Sequence, residues 1–310
     1  MQATGKLTEQ PSGWRGSARL RFHQREGGST YQGGAQAPLK LLRSFNQSSG
    51  HCELPLLHTA GGLVGGDQLL VEAQLEPGSR ALITSVAAQK VYGSVGRSEH
   101  HPKGRWSHQQ LNFQLAENSD MEWLPQELVL YANGLFQQDL TVELARGASF
   151  LSAEVVRLGR TASGEDLAAG CWRSSVEIRR NTGEKEGPRW EVVERLQLNG
   201  DSLREEHGMA DQPVFGSLIW AAPAPLAQHQ LEHLLQACRE ARRGLEGCMR
   251  CGGLEQGLVA RYRGPSSQAA RFWFSRLWSL IRSVRQLPPP DLPRVWPFQE
   301  SPWMDGDCSS

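Results

Sequence analysis

The chain has 310 residues, of which 39% are hydrophobic and 21% are charged, as is typical of globular proteins. Its 33 basic and 33 acidic residues give a formal net charge of zero, which argues against a nucleic-acid-binding protein and against a disordered charged tail. The length allows two domains, or one large all-β domain with an appendage.

Neither a membrane span nor a secretion signal is visible. The most apolar stretch, from Phe272 to Ile281, is interrupted by Arg276 and is much shorter than the ~18 residues of a membrane-spanning helix. The opening MQATGKLTEQ lacks the apolar segment of a signal peptide. We therefore expect the six cysteines to be reduced, in a cytoplasmic protein without membrane contact.

Short alternating segments dominate the first two thirds of the chain. From Trp14 to Phe22, apolar residues or glycine occupy one parity and mostly arginines the other, which is typical of a strand with one solvated face. Nine similar runs follow, at 69–75, 81–86, 109–115, 128–131, 140–144, 150–158, 172–178, 190–198 and 258–262. Almost no helical pattern lies between them, so the sequence predicts a mainly β fold, with a large stacked antiparallel sheet or sandwich-like domain.

Two helices are predicted late in the chain, and together they form a small C-terminal helical part. The first lies between Leu226 and Arg243, and the second begins at a cap formed by Ser266 or Ser267. The second helix is rich in aromatic residues and arginines. It either docks on the chain's own sheet or presents side chains to a partner protein, for which the candidates are Arg271, Trp273 and Trp278.

Changes in composition divide the chain into four segments. We expect a flexible N-terminus over 1–13, a β-rich domain over 14–222, a helical part with one late strand over 223–287, and a proline-rich tail over 288–310. Six prolines between Pro288 and Pro302 exclude a helix or central strand from the tail. Aromatic residues, Trp296 among them, can hold the extended tail in a groove of this chain or of a partner.

The densest glycine motif, HTAGGLVGGD, runs from His58 to Asp67. It lacks both the Lys-Ser/Thr pair of a P-loop and the glycine spacing of a dinucleotide-binding loop. The glycine doublets instead suit unusual backbone conformations or close chain approach. If nucleotide hydrolysis drives the task of this protein, another protein must perform it.

Four side chains offer a candidate metal site. Cys248 and Cys251 form a single CxxC pair, and His229 and His233 lie one helical turn apart upstream. The alternative is that the CxxC pair lies in a turn and the histidines at the solvent boundary. We predict that no metal cofactor is stably bound, and a metallochaperone using these four residues is the alternative function.

Carboxylates are the remaining candidates for chemistry. Glu127 precedes an apolar strand, and Glu154 lies inside the run FLSAEVVRL. A carboxylate in such a run either faces solvent at an alternate position or lines a hydrated interior passage. No catalytic triad can be assigned from spacing, since its members meet in space, and we predict that the protein is not an enzyme.

Several segments together resemble the UreD (UreH) family of urease accessory proteins. They occur in the order typical of the family, and the resemblance covers about residues 14 to 300, including the PRVWPF tail. The segments are the strand at 14–22, APLK at 37–40, LLHTAGGLVGGD at 56–67, TSVAAQKVYGS at 84–94, EWLPQELVLY at 122–131 and EVVRLGRTASGE at 154–165.

The resemblance implies a β-rich stack with a small helical part that acts as a scaffold for urease maturation. Its implied partners are the urease apoprotein, the UreF adaptor and the UreG GTPase, and GTP hydrolysis would drive nickel insertion into urease. Nickel would be in transit through an internal water-filled passage. Such a passage would not retain it, because oxygen ligands and water hold nickel weakly enough to release it. The carboxylates that this implies for the passage are Asp67, Glu127, Glu154 and Glu165.

Overall fold

A computed structural model describes residues 13–181 and 187–304. The expected flexible segment at the N-terminus therefore lies, except for Gly13, outside the described residues. In chain order, the strands are β1 (Arg15–Arg25), β2 (Gly28–Gln36), β3 (Leu39–Leu41), β4 (Phe45–Asn46), β5 (Cys52–His58), β6 (Gln68–Leu75), β7 (Arg80–Ser85), β8 (Gln89–Val91), β9 (Ser107–Leu115), β10 (Asp120–Leu124), β11 (Leu128–Leu130), β12 (Leu135–Leu144), β13 (Ser149–Leu158), β14 (Cys171–Arg180), β15 (Arg189–Asn199), β16 (Val214–Ala221), β17 (Cys248–Leu254) and β18 (Gly257–Gly264). The helices are α1 (Gly200–Arg204), α2 (Gln228–Glu240) and α3 (Ser267–Val284), with a single 3-10 turn at Thr161–Ser163.

The strands form two large sheets that pack face to face, which confirms the predicted mainly β fold. Sheet A has the order β15-β14-β12-β9-β6-β1-β2. Sheet B has the order β17-β18-β16-β13-β10-β7-β5-β3. In addition, β11 pairs with both β13 and β8, and β4 pairs with β5. The segment 223–287 contains two late strands instead of one, β17 and β18, and both extend sheet B.

The expectation of antiparallel sheets was wrong for the central strands. In sheet A the strands β1, β6, β9, β12 and β14 are parallel, and in sheet B so are β5, β7, β10 and β13. The reason is that the chain alternates between the sheets. A strand in one sheet is thus the return connection between two parallel strands of the other, a role usually taken by a helix. Antiparallel pairs, such as β1 with β2 and β14 with β15, lie toward the sheet edges.

Two hydrophobic clusters produce a three-layer arrangement. The first fills the space between the sheets and includes Phe113, Phe150 and Trp172. The second lies between sheet B and the helices α2 and α3. Alternate residues of β13 serve both clusters, because successive side chains of a strand point to opposite faces.

Helix α3 begins where the sequence predicts. The hydroxyl of Ser266 accepts a hydrogen bond from the Ala269 amide at 3.1 Å, which satisfies one of the unpaired donors of the first turn. Trp273 and Trp278, expected as partner-binding residues, are 0% and 1% exposed and belong to the core beneath the helix. They are consequently not available on the surface of the folded chain.

The proline-rich tail, as far as residue 304, folds back onto the chain itself. The Trp296 indole donates to the Thr84 hydroxyl at 2.8 Å, and its ring lies 5.9 Å from that of Trp278. Gln47 donates to the Asp291 carbonyl at 3.0 Å. Trp296 thus holds the tail to sheet B and α3. Within the described ranges, no helix has the length and apolar character needed to cross a bilayer.

Candidate functional site

A cavity of about 380 Å³ lies between the two sheets. Both sheets contribute to its wall, and it reaches the surface near Ala87 and Lys90, which are exposed. The wall mixes apolar side chains with polar groups at inward-facing positions, where a purely structural core would carry hydrophobic residues. These polar groups are His58, Gln109, Gln126, Gln138 and Glu154.

The sequence leaves open whether Glu154 faces solvent or the interior, and in the structure it faces the interior. It lies on the same face of β13 as Phe150 and Val156, which belong to the core between the sheets. Gln138, from β12 of sheet A, donates to its carboxylate at 2.5 Å. Burial raises the pKa of Glu154 to about 7, and the hydrogen bond from Gln138 opposes this shift. The carboxyl group therefore exchanges its proton near neutral pH.

His58 is a second ionisable group of this wall, and no sequence pattern indicates it as a functional side chain. It ends β5, and Thr59 and Ala60 separate it from the first glycine doublet. Both ring nitrogens are buried without a hydrogen-bond partner among the described residues. Burial lowers the pKa of His58, although the nearby Asp67 opposes that shift. The imidazole is consequently neutral near pH 7 and able to bind a cation through either nitrogen.

Asp67 has a different role from the one expected for it, since it does not line the cavity. One carboxylate oxygen accepts the Trp14 amide at 2.8 Å, and the other accepts the Val64 amide at 2.9 Å. The side chain is buried, at 5% exposure for the residue. Asp67 therefore fixes the glycine-rich loop against the start of β1.

Glu127 and Glu165 also lie away from the cavity wall. Glu127 accepts a hydrogen bond from Arg271 at 3.1 Å, so this expected partner-binding arginine is engaged within the chain. Glu165 accepts the Ala132 amide at 2.9 Å and forms an ion pair with Arg160. Of the four carboxylates expected to share one passage, the structure thus places Glu154 at the cavity.

The residues of the candidate metal site do not come together. The CxxC pair lies in β17, not in a turn, and residues three apart in a strand point to opposite faces. Cys248 is exposed, whereas Cys251 is partly buried and faces α2. A hydrogen bond with the thiol of Cys238 lowers the pKa of Cys251 to about 7. His229 and His233 are exposed on α2. Among the residues that the structure describes, no three His, Cys, Asp or Glu side chains are grouped to hold a metal ion.

The structure also brings together a Ser-His-Asp arrangement that the sequence does not indicate. Ser49 and Asp120 each lie 2.8 Å from a different ring nitrogen of His51. All three are buried, none lines the cavity, and Arg285 contacts the same carboxylate at 2.7 Å. A nucleophile needs access to its substrate, so we interpret this arrangement as a structural anchor for α3.

Comparison with known proteins shows a full-length similarity. The family model described as UreD urease accessory protein matches residues 15–297. A protein of Synechococcus sp. (strain CC9902) is 61% identical over 289 residues, covering 93% of this chain and 92% of its own. One from Synechococcus sp. (strain WH7805) is 58% identical over 295 residues, with the same coverage, and one from Prochlorococcus marinus (strain MIT 9303) is 59% identical over 272 residues, covering 88% of this chain and 90% of its own. All three are named urease accessory protein UreD.

Proposed function

This chain belongs to the UreD family of urease accessory proteins, and from that membership we propose how it takes part in urease maturation. It acts in the cytoplasm as a non-catalytic scaffold that binds the urease apoprotein. Together with the UreF adaptor and the UreG GTPase, it supports GTP-dependent insertion of nickel into the urease active site. The observation that carries this proposal is the identity of 58–61% to named UreD proteins over almost the whole chain.

The glycine-rich loop supports a division of labour with a separate GTPase. Gly62 has a φ of +156°, and a methyl group there would lie 2.6 Å from the Tyr92 ring. Gly65 is packed even more closely, since a methyl group there would lie 2.2 Å from the Ser94 hydroxyl. These glycines serve close packing between loops, whereas a phosphate-binding loop keeps its backbone amides free for a ligand. The energy for nickel transfer therefore comes from the GTPase.

The cavity between the sheets supports transit of nickel through this chain. Glu154 offers a carboxyl group that ionises near neutral pH, and His58 offers an imidazole with no hydrogen-bond partner among the described residues. Nickel(II) is held strongly by a cage of thiolates and imidazoles, whereas one carboxylate, one imidazole and water hold it weakly enough for release. The cavity therefore suits a cation that passes through and does not remain.

A reconstitution experiment tests both levels of the proposal. The purified chain is combined with the adaptor, the GTPase, apo-urease and nickel, and nickel bound to urease is counted with and without GTP. We expect a stable complex, with GTP-dependent nickel incorporation. Glu154→Gln and His58→Gln should lower nickel incorporation while the complex still elutes as one species.

Glu72→Gln is the matched control, because Glu72 pairs with Arg19 on the outer face of sheet A. It should leave nickel incorporation unchanged. Failure of the wild-type chain to bind any of the three proteins would refute the scaffold function. Normal nickel incorporation by both cavity variants, in an intact complex, would refute the passage alone.

A further inference from the structure

One end of the two-sheet stack gathers two loops through which the chain passes from sheet B into sheet A, at residues 59–67 and 92–106. Residues 13–14, directly before β1, contact the first of these loops. The Gly66 amide donates to the Trp106 carbonyl at 3.1 Å. A methyl group on Gly65 would lie 2.2 Å from the Ser94 hydroxyl, and one on Gly13 would lie 2.2 Å from the Gly66 carbonyl oxygen. The three segments therefore form one continuous surface, which we call the loop end.

Two large apolar side chains are exposed on the loop end. Trp14 is 58% exposed and Val64 is 49% exposed. The buried carboxylate of Asp67 accepts the backbone amides of both residues, so one side chain fixes the positions of both. Holding an exposed apolar residue in place does not stabilise the folded chain. It does favour binding, because a residue that is already held in place loses less conformational entropy when a partner binds.

The loop end also carries exposed cations. Arg15 follows Trp14, and Arg97 and Lys103 are exposed on the loop of residues 94–105, which contains one exposed carboxylate between them, Glu99. None of these three cations has an ion-pair partner in the described part of the chain. The two ends of that loop are held together, because the Ser94 hydroxyl donates to the Arg105 carbonyl at 2.9 Å and accepts the Arg105 amide at 2.7 Å.

We propose that the loop end is a docking surface for a protein partner whose face presents an apolar depression bordered by carboxylates. Trp14 and Val64 are the anchors, Arg15, Arg97 and Lys103 provide charge complementarity, and Asp67 is a positioning residue. The zero net charge of the whole chain disfavours nucleic acid as the occupant. This inference rests on the proposed function, since the partner is one of the proteins of the urease maturation assembly.

The first test measures the affinity of the full-length chain for the urease apoprotein, the adaptor and the GTPase, each taken separately. Trp14→Ala should weaken binding to one of these partners about tenfold or more. The double variant Arg97→Glu, Lys103→Glu should weaken binding to the same partner and reduce the dependence of the association rate on salt. Trp190→Ala is the matched control, because Trp190 is 52% exposed on edge strand β15.

Asp67→Asn tests the positioning role. Asp67 is buried and does not present its carboxylate to a partner. The substitution should nevertheless weaken binding to the same partner that Trp14→Ala affects, because the asparagine side chain can accept only one of the two backbone hydrogen bonds. The Trp14→Ala, Asp67→Asn double variant should then bind no more weakly than Trp14→Ala alone, because the anchor that Asp67 positions is already absent. An additive loss would overturn the positioning role.

The outcomes separate the docking surface from the proposed function. If the wild-type chain binds a partner and all loop-end variants bind it with wild-type affinity, the docking surface is wrong while the proposed function stands. If the wild-type chain binds none of the three proteins, both are wrong. If Trp14→Ala weakens binding to vesicles of phosphatidylcholine and phosphatidylglycerol but leaves binding to the three proteins unchanged, the loop end is not a docking surface for a protein.

Discussion

The fold changes the chemistry of Glu154 more than that of the other expected carboxylates. On an exposed alternate position of a strand, a glutamate keeps its ordinary pKa and is ionised at neutral pH. Here the side chain faces the interior, and loss of water raises its pKa to about 7, against the hydrogen bond from Gln138. The same carboxyl group is thus a solvated anion in the unfolded chain and a proton-exchanging group in the folded one.

The raised pKa of Glu154 predicts how stability depends on pH. Below about pH 4.5 the carboxyl group is protonated in both the folded and the unfolded chain, so it contributes its full stability there. Between about pH 4.5 and 7 the unfolded chain ionises first, and the folded state loses stability. Above pH 7 the loss is complete and amounts to about 3 kcal/mol.

Glu154→Gln should remove this loss, because the amide cannot ionise. Urea unfolding of the two proteins at pH 5 and pH 8 measures the difference. We expect the variant to gain about 2–3 kcal/mol relative to wild type on going from pH 5 to pH 8, because part of the loss has already occurred at pH 5. Equal pH dependence of the two proteins would contradict the buried, proton-exchanging carboxyl group. Glu72→Gln again provides the exposed control.

At the scale of elements, buried ion pairs tie α3 to sheet B. Arg282 of α3 contacts the two carboxylate oxygens of Glu122 in β10 at 2.9 and 2.6 Å, and both side chains are 0% exposed. Burial raises the pKa of Glu122, but the electrostatic influence of His51 and the charge and hydrogen bonds of Arg282 outweigh this effect and lower it overall. The helix is therefore fixed in one orientation by charges that cannot be solvated.

Removal of one member of this pair should be more damaging than removal of both. Arg282→Met leaves Glu122 buried without its counter-charge and should cost about 3–5 kcal/mol in the free energy of unfolding. The double variant Glu122→Leu, Arg282→Met should recover part of that loss. Chemical denaturation compares them, with Arg204→Ala as control, because the pair of Arg204 with Asp201 is solvent-exposed. A double variant that is less stable than Arg282→Met would contradict this account.

The contacts of Trp296 predict that the tail contributes to the stability of the fold. Trp296→Ala removes the ring contact with Trp278 and the hydrogen bond to Thr84, and should lower the free energy of unfolding by about 2–3 kcal/mol. Trp296→Phe keeps an aromatic ring and should cost about 1 kcal/mol. Trp190→Ala should change stability by less than about 0.5 kcal/mol. If thermal and urea unfolding do not distinguish Trp296→Ala from Trp190→Ala, the tail does not stabilise the chain.

At the scale of the whole molecule, the alternation of strands between the sheets predicts cooperative unfolding. Strands β5 to β7, β9, β10 and β12 to β14 run alternately through sheet A and sheet B, so detaching one sheet removes the connections of the other. Native-state hydrogen exchange should therefore give the slowest amides of β9 in sheet A and β10 in sheet B the same opening free energy. A difference of more than about 2 kcal/mol between the two strands would contradict this prediction.

Much of the fold could be predicted because its signals are local. The period-two alternation of β1 and the i, i+3, i+4 pattern of α2 and α3 depend on residues close together in the chain, as does the cap at Ser266. Strand pairing is a relation between distant residues, and the alternation between sheets leaves no local pattern. The parallel pairs, and the two-sided packing of short strands such as β5 and β10, were therefore not visible in the sequence.

By itself, the sequence determined that this chain folds into sheets with two late helices, that its glycine-rich motif is neither a P-loop nor a dinucleotide-binding loop, and that its ordered motifs resemble one family. Tertiary structure decided which polar residues share a cavity, which tryptophans are buried and which way the CxxC cysteines point. The physical reason is that burial, and with it the pKa values of Glu154 and His58, depends on atoms contributed by several distant strands. No spacing along the chain records those neighbours.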